Sequence, residues 1–476
     1  MAEYVIPDSA KESPEAFLAW CEENGVVELD ARFIDIRGMV EHFSMPLSGV
    51  DADMFSEEEG LGFDGSSVQG FQTIDVSDMV LIPDLSTAMI DPFFEMKTAA
   101  FYCYVYDPIT REPYTRDPRG VVKRAVEYLP TTGLADTCYM GPEAEFFIFS
   151  DINYDIKPNG SFYEVDSFEG FWNSGTPGTR GFLNRIKEGY FPLPPNDQTQ
   201  DLRALMVQTL MGAGIDIEVH HHEVGGASQA EIDLRFQNLS TIADTMTTYK
   251  YIVKNVAYQN GLLATFLPKP IHGDNGSGMH THQSLWKDGD TLFAGDQYAG
   301  MSQMAMYYIG GILKHAKSIL AFAAPTTNSY RRLIPGYEAP VNLVYSNRNR
   351  SAAIRIPMYS NSPKAKRMEF RSADPTANPY FAFAAMLMAG LDGVENQIDP
   401  GEPAEVDLFE GDHDTPYVPG SLMEAVESLK ADHEYLLKGG VFTQDMLDTY
   451  IEYKTAEAKM VSEYPHPIEF QQYIDL

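Results

Sequence analysis

The 476-residue chain carries 69 Asp and Glu against 34 Lys and Arg, a formal net charge of −35, and is 44% hydrophobic. That length exceeds one small core and sets an expectation of two domains. The sign of the charge excludes nucleic-acid binding by bulk electrostatics, and its spread, with runs at 51–59 and 402–414, points to a protein built for molar salt, where the Debye length is about 3 Å.

Ser13-Pro14 opens a helix that Gly25 closes. Strands are expected over 26–36 and 39–43, joined at Arg37-Gly38, and over 79–82 and 101–106, with 57–65 an acidic loop. The proline-rich stretch 107–119 reads as a linker, placing the domains at 1–112 and 113–476. Helices follow over 118–129, 200–210, 240–260, 297–322 and 376–395, and again beyond 421. Residues 151–198, rich in Gly, Pro and Asn, read as one long loop. The apolar run 381–390 is too short to span a bilayer. The N-terminus lacks a basic, apolar leader. Cys21, Cys103 and Cys138 have no CxxC spacing, so reduced thiols and a cytoplasmic location are expected.

Three segments place acidic, His or Arg side chains on every second residue: Gly141-Pro-Glu143-Ala-Glu145-Phe-Phe, Met279-His280-Thr-His282-Gln-Ser284 and Arg367-Met-Glu369-Phe-Arg371. On strands such residues share one face. That face cannot be an apolar core, because unpaired buried charge is too costly. A fourth segment, from Glu218 through His220-His221-His222-Glu223 to Glu231, brackets a glycine-rich turn. Five Glu and one His suffice for two three-ligand sites, and this oxygen-rich set suits Mg²⁺ or Mn²⁺ better than Zn²⁺. Taken singly, each piece has a blander reading: a solvated strand edge, a surface His cluster, a loop. With no P-loop and no Gly-x-Gly-x-x-Gly after a strand, metals and arginines would have to hold any nucleotide phosphates.

The longer motifs resemble type I glutamine synthetase: Phe63-Asp64-Gly-Ser-Ser, Gly273-Asp-Asn275-Gly276-Ser-Gly-Met-His280, Asn328-Ser-Tyr-Arg-Arg332-Leu-Ile-Pro-Gly-Tyr-Glu338, Arg348-Asn-Arg350-Ser-Ala-Ala-Ile-Arg355 and the closing His466-Pro-Ile-Glu-Phe. The resemblance runs from about residue 15 to the C-terminus. It implies an α+β protein: an N-terminal β-grasp domain and a catalytic α/β domain whose antiparallel sheet lines the active site. It further implies a homo-dodecamer of two hexameric rings with active sites between subunits.

The implied reaction is ATP-dependent amidation of L-glutamate by ammonium through γ-glutamyl phosphate. By the same resemblance Glu145, Glu223 and Glu231 hold one Mg²⁺ or Mn²⁺, and Glu143, His280 and Glu369 a second. Glutamate falls to Glu145, Asn275, Gly276, Arg332, Glu338 and Arg371. ATP falls to Glu218, Phe236, His282, Ser284, Arg350, Arg355 and Lys364. Asp64 would take the ammonium proton across a subunit boundary, Arg350 and Arg371 would stabilise the transferring group, and Glu338 belongs to a flap that excludes water. Phe409 stands where many relatives carry an adenylylated Tyr, so that control is expected to be absent, which leaves metabolites or small regulatory proteins as regulators. Together with the charge, the resemblance suggests a halophilic archaeal source. A ligase for a larger amine, a ring-forming non-enzyme that has lost its ligands, and a zinc hydrolase are the competing readings. The retained Asp64 and the full ligand set argue against the first two.

Overall fold

The computed structural model describes residues 3–335, 339–406 and 415–475, with Glu338 and Phe409 outside them. Among the described residues, the N-terminal part forms a six-stranded sheet. Its order is Val40–Pro46, Glu28–Ile34, Thr98–Tyr106, Asp78–Pro83, Leu61–Asp64, with Met89–Ile90 added to the central strand. Glu28–Ile34 and Thr98–Tyr106 run parallel, and the remaining pairs are antiparallel. Helix Pro14–Glu23 covers one face. Ser13 caps it, accepting from the Ala16 N–H at 3.2 Å, and it buries Phe17 against Phe55 and Phe101. Each such ring contributes about 1.5–3 kcal/mol.

The second sheet runs in the order Ile217–His222, Gln229–Leu234, Thr137–Phe149, Met279–Lys287, Met368–Phe370, Ala352–Ile356, Asn342–Asn347. It is antiparallel except for its last pair. Strand alternation divides it into two chemistries. Met140, Ala144, Phe146, Met279, Leu285, Met368 and Phe370 belong to a core backed by helices Leu239–Gln259, Gln303–Ala323 and Pro379–Glu395. The acids, histidines and arginines take the opposite face. Pro379–Glu395 is buried on every side through Val394, as an apolar helix behind a sheet must be. It meets Gln303–Ala323 backbone to backbone. A Cβ on Gly311 would lie 2.1 Å from the Ala389 carbonyl, and one on Gly393 2.2 Å from that of Tyr307.

The two sheets are tied by buried polar groups. Arg32 pairs with Asp91 at 2.5 Å, Asp91 accepts from Tyr251 at 2.9 Å, and Arg119 bridges Asp84 and Asp244. Two sequence expectations need correction. The segment 57–65 is not all loop, since Leu61–Asp64 forms a strand in which Phe63 packs on Phe33 with ring centroids 4.7 Å apart. Nor is 151–198 a single loop: Asp151–Lys157 and Gly160–Asp166 make a hairpin turned at Pro158-Asn159. The turn residues masked an alternation already present in Ile152, Tyr154 and Ile156.

Candidate active site

The register builds a grid of charges on the open face of the large sheet. Glu143 lies opposite Asp233 on one side and His280 on the other, Glu145 lies opposite Glu231, and Glu369 lies between His282 and Arg355. Two groups place three ligand atoms within 4.8 Å of one another: Glu143, His282 and Glu369, and His221, Glu223 and Glu231. Glu145 and His280 sit beside these groups. The His280 Nδ1 is 3.6 Å from Glu143 and 3.8 Å from Glu369. Glu145 accepts from the Gln229 amide at 3.1 Å and the Gly278 N–H at 3.0 Å.

Electrostatics separates the two halves of the grid. Burial, then repulsion from Glu223, pushes Glu145 up to about 8. Asp233 is likewise raised to about 8 by burial and by Glu143, Glu218 and Glu223. Glu231 rises for the same reasons, burial first and then repulsion, most strongly from Asp233. Opposite them, burial would raise Glu369, but Arg371, the two histidines and Arg355 hold it down at about 2. Burial would also raise the half-buried Glu143, but His282 and His280 keep it well below its ordinary range. His280 falls to about 4 through burial and the nearby Arg371. His282 accepts at Nδ1 from the Arg367 Nε, 3.1 Å away, so its proton lies on Nε2 and is donated to Glu143 at 2.7 Å. Carboxylates crowded enough to retain protons are a donor set that a hard divalent cation fits.

Arg355 and Arg371 both bind the fully buried Glu369. Arg332 is buried and directs its guanidinium at the carbonyls of Arg371, Ser372 and Ala373 and at the 273–278 loop. Arg350 shares a hydrogen bond with Tyr359 and lies beside Tyr190. A cavity of about 380 Å³, in the size range of small-ligand pockets, adjoins the grid. Glu218, Phe236, His282, Ser284 and Lys364 line it, whereas Arg350 and Arg355 do not. A larger groove of about 550 Å³, between helices Leu422–Ala431 and Gln444–Ser462, touches none of these residues. Asp64 is exposed at the tip of the small sheet, accepting from Ser66 and Ser67, which keep its carboxyl low. Among the described residues no hydrogen bond or ion pair joins it to the grid.

Sequence reading missed three residues here. Asp233 extends the alternation Gln229, Glu231, Asp233, so its signal was present. Gln229, fully buried, joins Glu145, the Gly225 N–H and the Gly276 carbonyl through one amide. Tyr190 stacks on Phe191, and both rings pack edgewise on His221. Gln229 shares that alternation but carries no charge to single it out, and Tyr190 lies on a loop with no periodicity.

With this geometry in hand, comparison with known proteins is specific. Residues 25–108 match the family described as glutamine synthetase, beta-Grasp domain, and 115–473 match glutamine synthetase, catalytic domain. A glutamine synthetase of Mycolicibacterium smegmatis is 53% identical over 98% of this chain and 99% of its own length. One of Aquifex aeolicus is 51% identical over 98% and 100%. Among solved structures, a Plasmodium falciparum glutamine synthetase superposes with a TM-score of 0.89 at 26% identity, covering 97% of this chain and 99% of its own. A GmaS/ADP complex gives 0.81 at 28% identity, covering 96% and 99%. Two domain matches and full-length identity above one half leave one conclusion: this chain belongs to the glutamine synthetase family.

Proposed function

We propose that the acidic grid and its adjoining cavity together form the centre at which this glutamine synthetase ligates ammonia to L-glutamate at the expense of ATP. The observation that carries the assignment is the pairing of two three-donor groups with a ligand-sized cavity on one sheet face. Glu145, Glu223 and Glu231, with His221 alongside, would hold one Mg²⁺ or Mn²⁺. Glu143, His280 and Glu369, with His282 alongside, would hold another. Such cations, when bound, screen the repulsion between phosphate and carboxylate.

ATP takes the cavity, contacting Glu218, Phe236, His282, Ser284 and Lys364, with Arg350 and Arg355 towards its phosphates. Arg332, Asn275 and Gly276 hold glutamate. A γ-carboxylate oxygen attacks the γ-phosphorus, ADP leaves, and Arg350 and Arg371 offset the charge on the transferring group. Asp64 of a neighbouring subunit accepts a proton from ammonium, and ammonia displaces phosphate from γ-glutamyl phosphate. Glu338 belongs to the segment that shuts water out.

The domain boundary at 112/113, a dodecamer of two hexameric rings and a cytoplasmic location belong to the same reading. Exposed apolar side chains at Tyr154, Ile156, Phe162, Ile468, Phe470 and Ile474 support assembly, since patches of this kind mark contact surfaces. No described helix is long and apolar enough to cross a membrane. Phe409 has no hydroxyl to adenylylate, so regulation is assigned to metabolites or small proteins. The relatives named above lend no support to an archaeal source. Salt dependence rests on the −35 charge alone. The decisive assay is phosphate release from ATP and glutamate, with and without ammonium and with and without Mg²⁺ or Mn²⁺. Release that ignores ammonium would overturn the amine assignment.

A further inference from the structure

Three loops meet beside the grid, and one carboxylate joins them. Asp274 is 2% exposed. Its Oδ1 accepts from the backbone N–H of Lys187 at 3.0 Å and of Asn275 at 2.9 Å, and its Oδ2 accepts from that of Gly226 at 3.0 Å. Burial pushes this carboxyl up while those three amides hold it down. Lys187 has a left-handed backbone, φ 61°, which a non-glycine residue adopts only where its surroundings impose it.

Each amide belongs to a different part of the site. Lys187 lies on the loop that carries Tyr190. Gly226 lies in the turn after Glu223. Asn275 opens the glycine-rich loop assigned to glutamate. Backbone contact reinforces the junction. Gly189 donates to the Val224 carbonyl at 3.0 Å, and a Cβ on Gly189 would lie 2.7 Å from the Glu223 carbonyl oxygen. A Cβ on Gly226 would lie 2.3 Å from the Arg185 carbonyl oxygen.

We infer that Asp274 is a positioning residue for the amidation reaction, fixing Glu223, Tyr190 and the Asn275-Gly276 loop relative to one another so that glutamate and ammonium are held in one geometry. The inference rests on the glutamate and ammonium assignment proposed above. Asp274 does not line the cavity assigned to ATP, and its three hydrogen-bond donors, Lys187, Gly226 and Asn275, do not line it either. Its effect should therefore fall on the two small substrates and spare the nucleotide.

The test is D274N in the full-length assembly. Asn keeps the size but turns one acceptor oxygen into a donor facing an amide N–H. KM should rise for both glutamate and ammonium, and kcat should fall, because a shift on the order of 1 Å in a reacting group costs about a hundredfold. ADP affinity, measured by calorimetry, should stay at the wild-type value. Amide exchange at residues 187, 226 and 275 should quicken together. A purely structural lesion would lower the active fraction and leave both KM values unmoved. Unchanged KM values in an assembled D274N, or an equal loss of ADP affinity, would overturn the inference. Should D274N fail to assemble, G189A decides, because its Cβ separates the same loop from the Glu223 turn with Asp274 intact. The same KM pattern is expected there, and wild-type KM values would overturn the inference. Wild-type protein that released no phosphate in an ammonium-dependent way would instead defeat the underlying substrate assignment.

Discussion

Replacing Glu369 with Gln separates two roles of one carboxylate. Glu369 is fully buried, binds both Arg355 and Arg371, and lies 3.8 Å from His280. Its carboxyl sits at about 2 against an ordinary 4.5. At about 1.4 kcal/mol for each tenfold change in proton affinity, that difference contributes about 3 kcal/mol at neutral pH. An independent route gives a similar figure, since removing one partner of a buried ion pair costs about 3–5 kcal/mol. The depressed value also sets the sign: the contribution is complete above pH 4.5 and is lost as pH falls towards 2. Urea unfolding of E369Q in high salt and chelator at pH 7 should therefore show a loss of about 3 kcal/mol. The gap from wild type should narrow as the pH is lowered below about 5. Phosphate release with ammonium should also collapse, and excess Mn²⁺ should restore it poorly, because a donor is gone. An E369Q protein within about 0.5 kcal/mol of wild type in chelator would refute the energetic argument. Wild-type turnover with unaltered metal dependence would refute the ligand assignment.

Asp64→Ala should impair ammonium use far more than ATP binding. Mixed rings of inactive Asp64→Ala and inactive Glu369→Gln subunits should regain activity at the interfaces that pair two intact halves, and verified mixed rings without recovery would exclude a shared site. Glu145 and Asp233, both near 8 in the folded protein, keep protons that the unfolded chain surrenders near 4.5 and 3.8. Stability of the metal-free protein should therefore fall as pH rises from about 4 to 8. Mn²⁺ should flatten that slope, and a level thermal midpoint in chelator across the window would contradict the grid electrostatics. The −35 charge predicts that assembly weakens in dilute buffer, where the Debye length at 0.01 M is about 30 Å, and that molar salt or divalent cation restores it. An assembly that light scattering finds intact at 0.01 M salt with chelator would dispose of the salt argument.

The acid-bearing strands were legible because a period of two is a local property. Glu143 and Glu145, His280 and His282, and Arg367, Glu369 and Arg371 announce a polar sheet face without any knowledge of what pairs with what. Asp233 was equally legible and was passed over, because the turn beside it drew attention to Glu223 and Glu231 alone. The roles of Asp274 and Gln229 were not legible. Their partners lie 48 and 87 residues away for Asp274, and 47 and 84 for Gln229, so their function exists only once separate loops converge. The short strand Leu61–Asp64 was hidden by its length, since four residues in an acidic stretch carry too few alternations to stand out. The hairpin 151–166 was hidden by composition. Tyr154, Phe162 and Tyr163 are exposed and fall on both faces, so the usual contrast between an inner and an outer side is weak.

The glycine contact between Gln303–Ala323 and Pro379–Glu395 bears on how the grid can respond when its cations leave. A repelling layer of carboxylates on a flexible support would bow outward and dilute its charge over a larger area. Here the support has no slack: Gly311 and Gly393 bring the two helices together backbone to backbone, Gly390 is filled by the Tyr308 ring, and interiors packed this closely yield little. The metal-free enzyme is thus denied mechanical relief and must answer chemically, by taking up protons on Glu145 and Asp233. Metal loading and proton release become two readings of one event, so a pH electrode in a weakly buffered solution could count the cations as they bind.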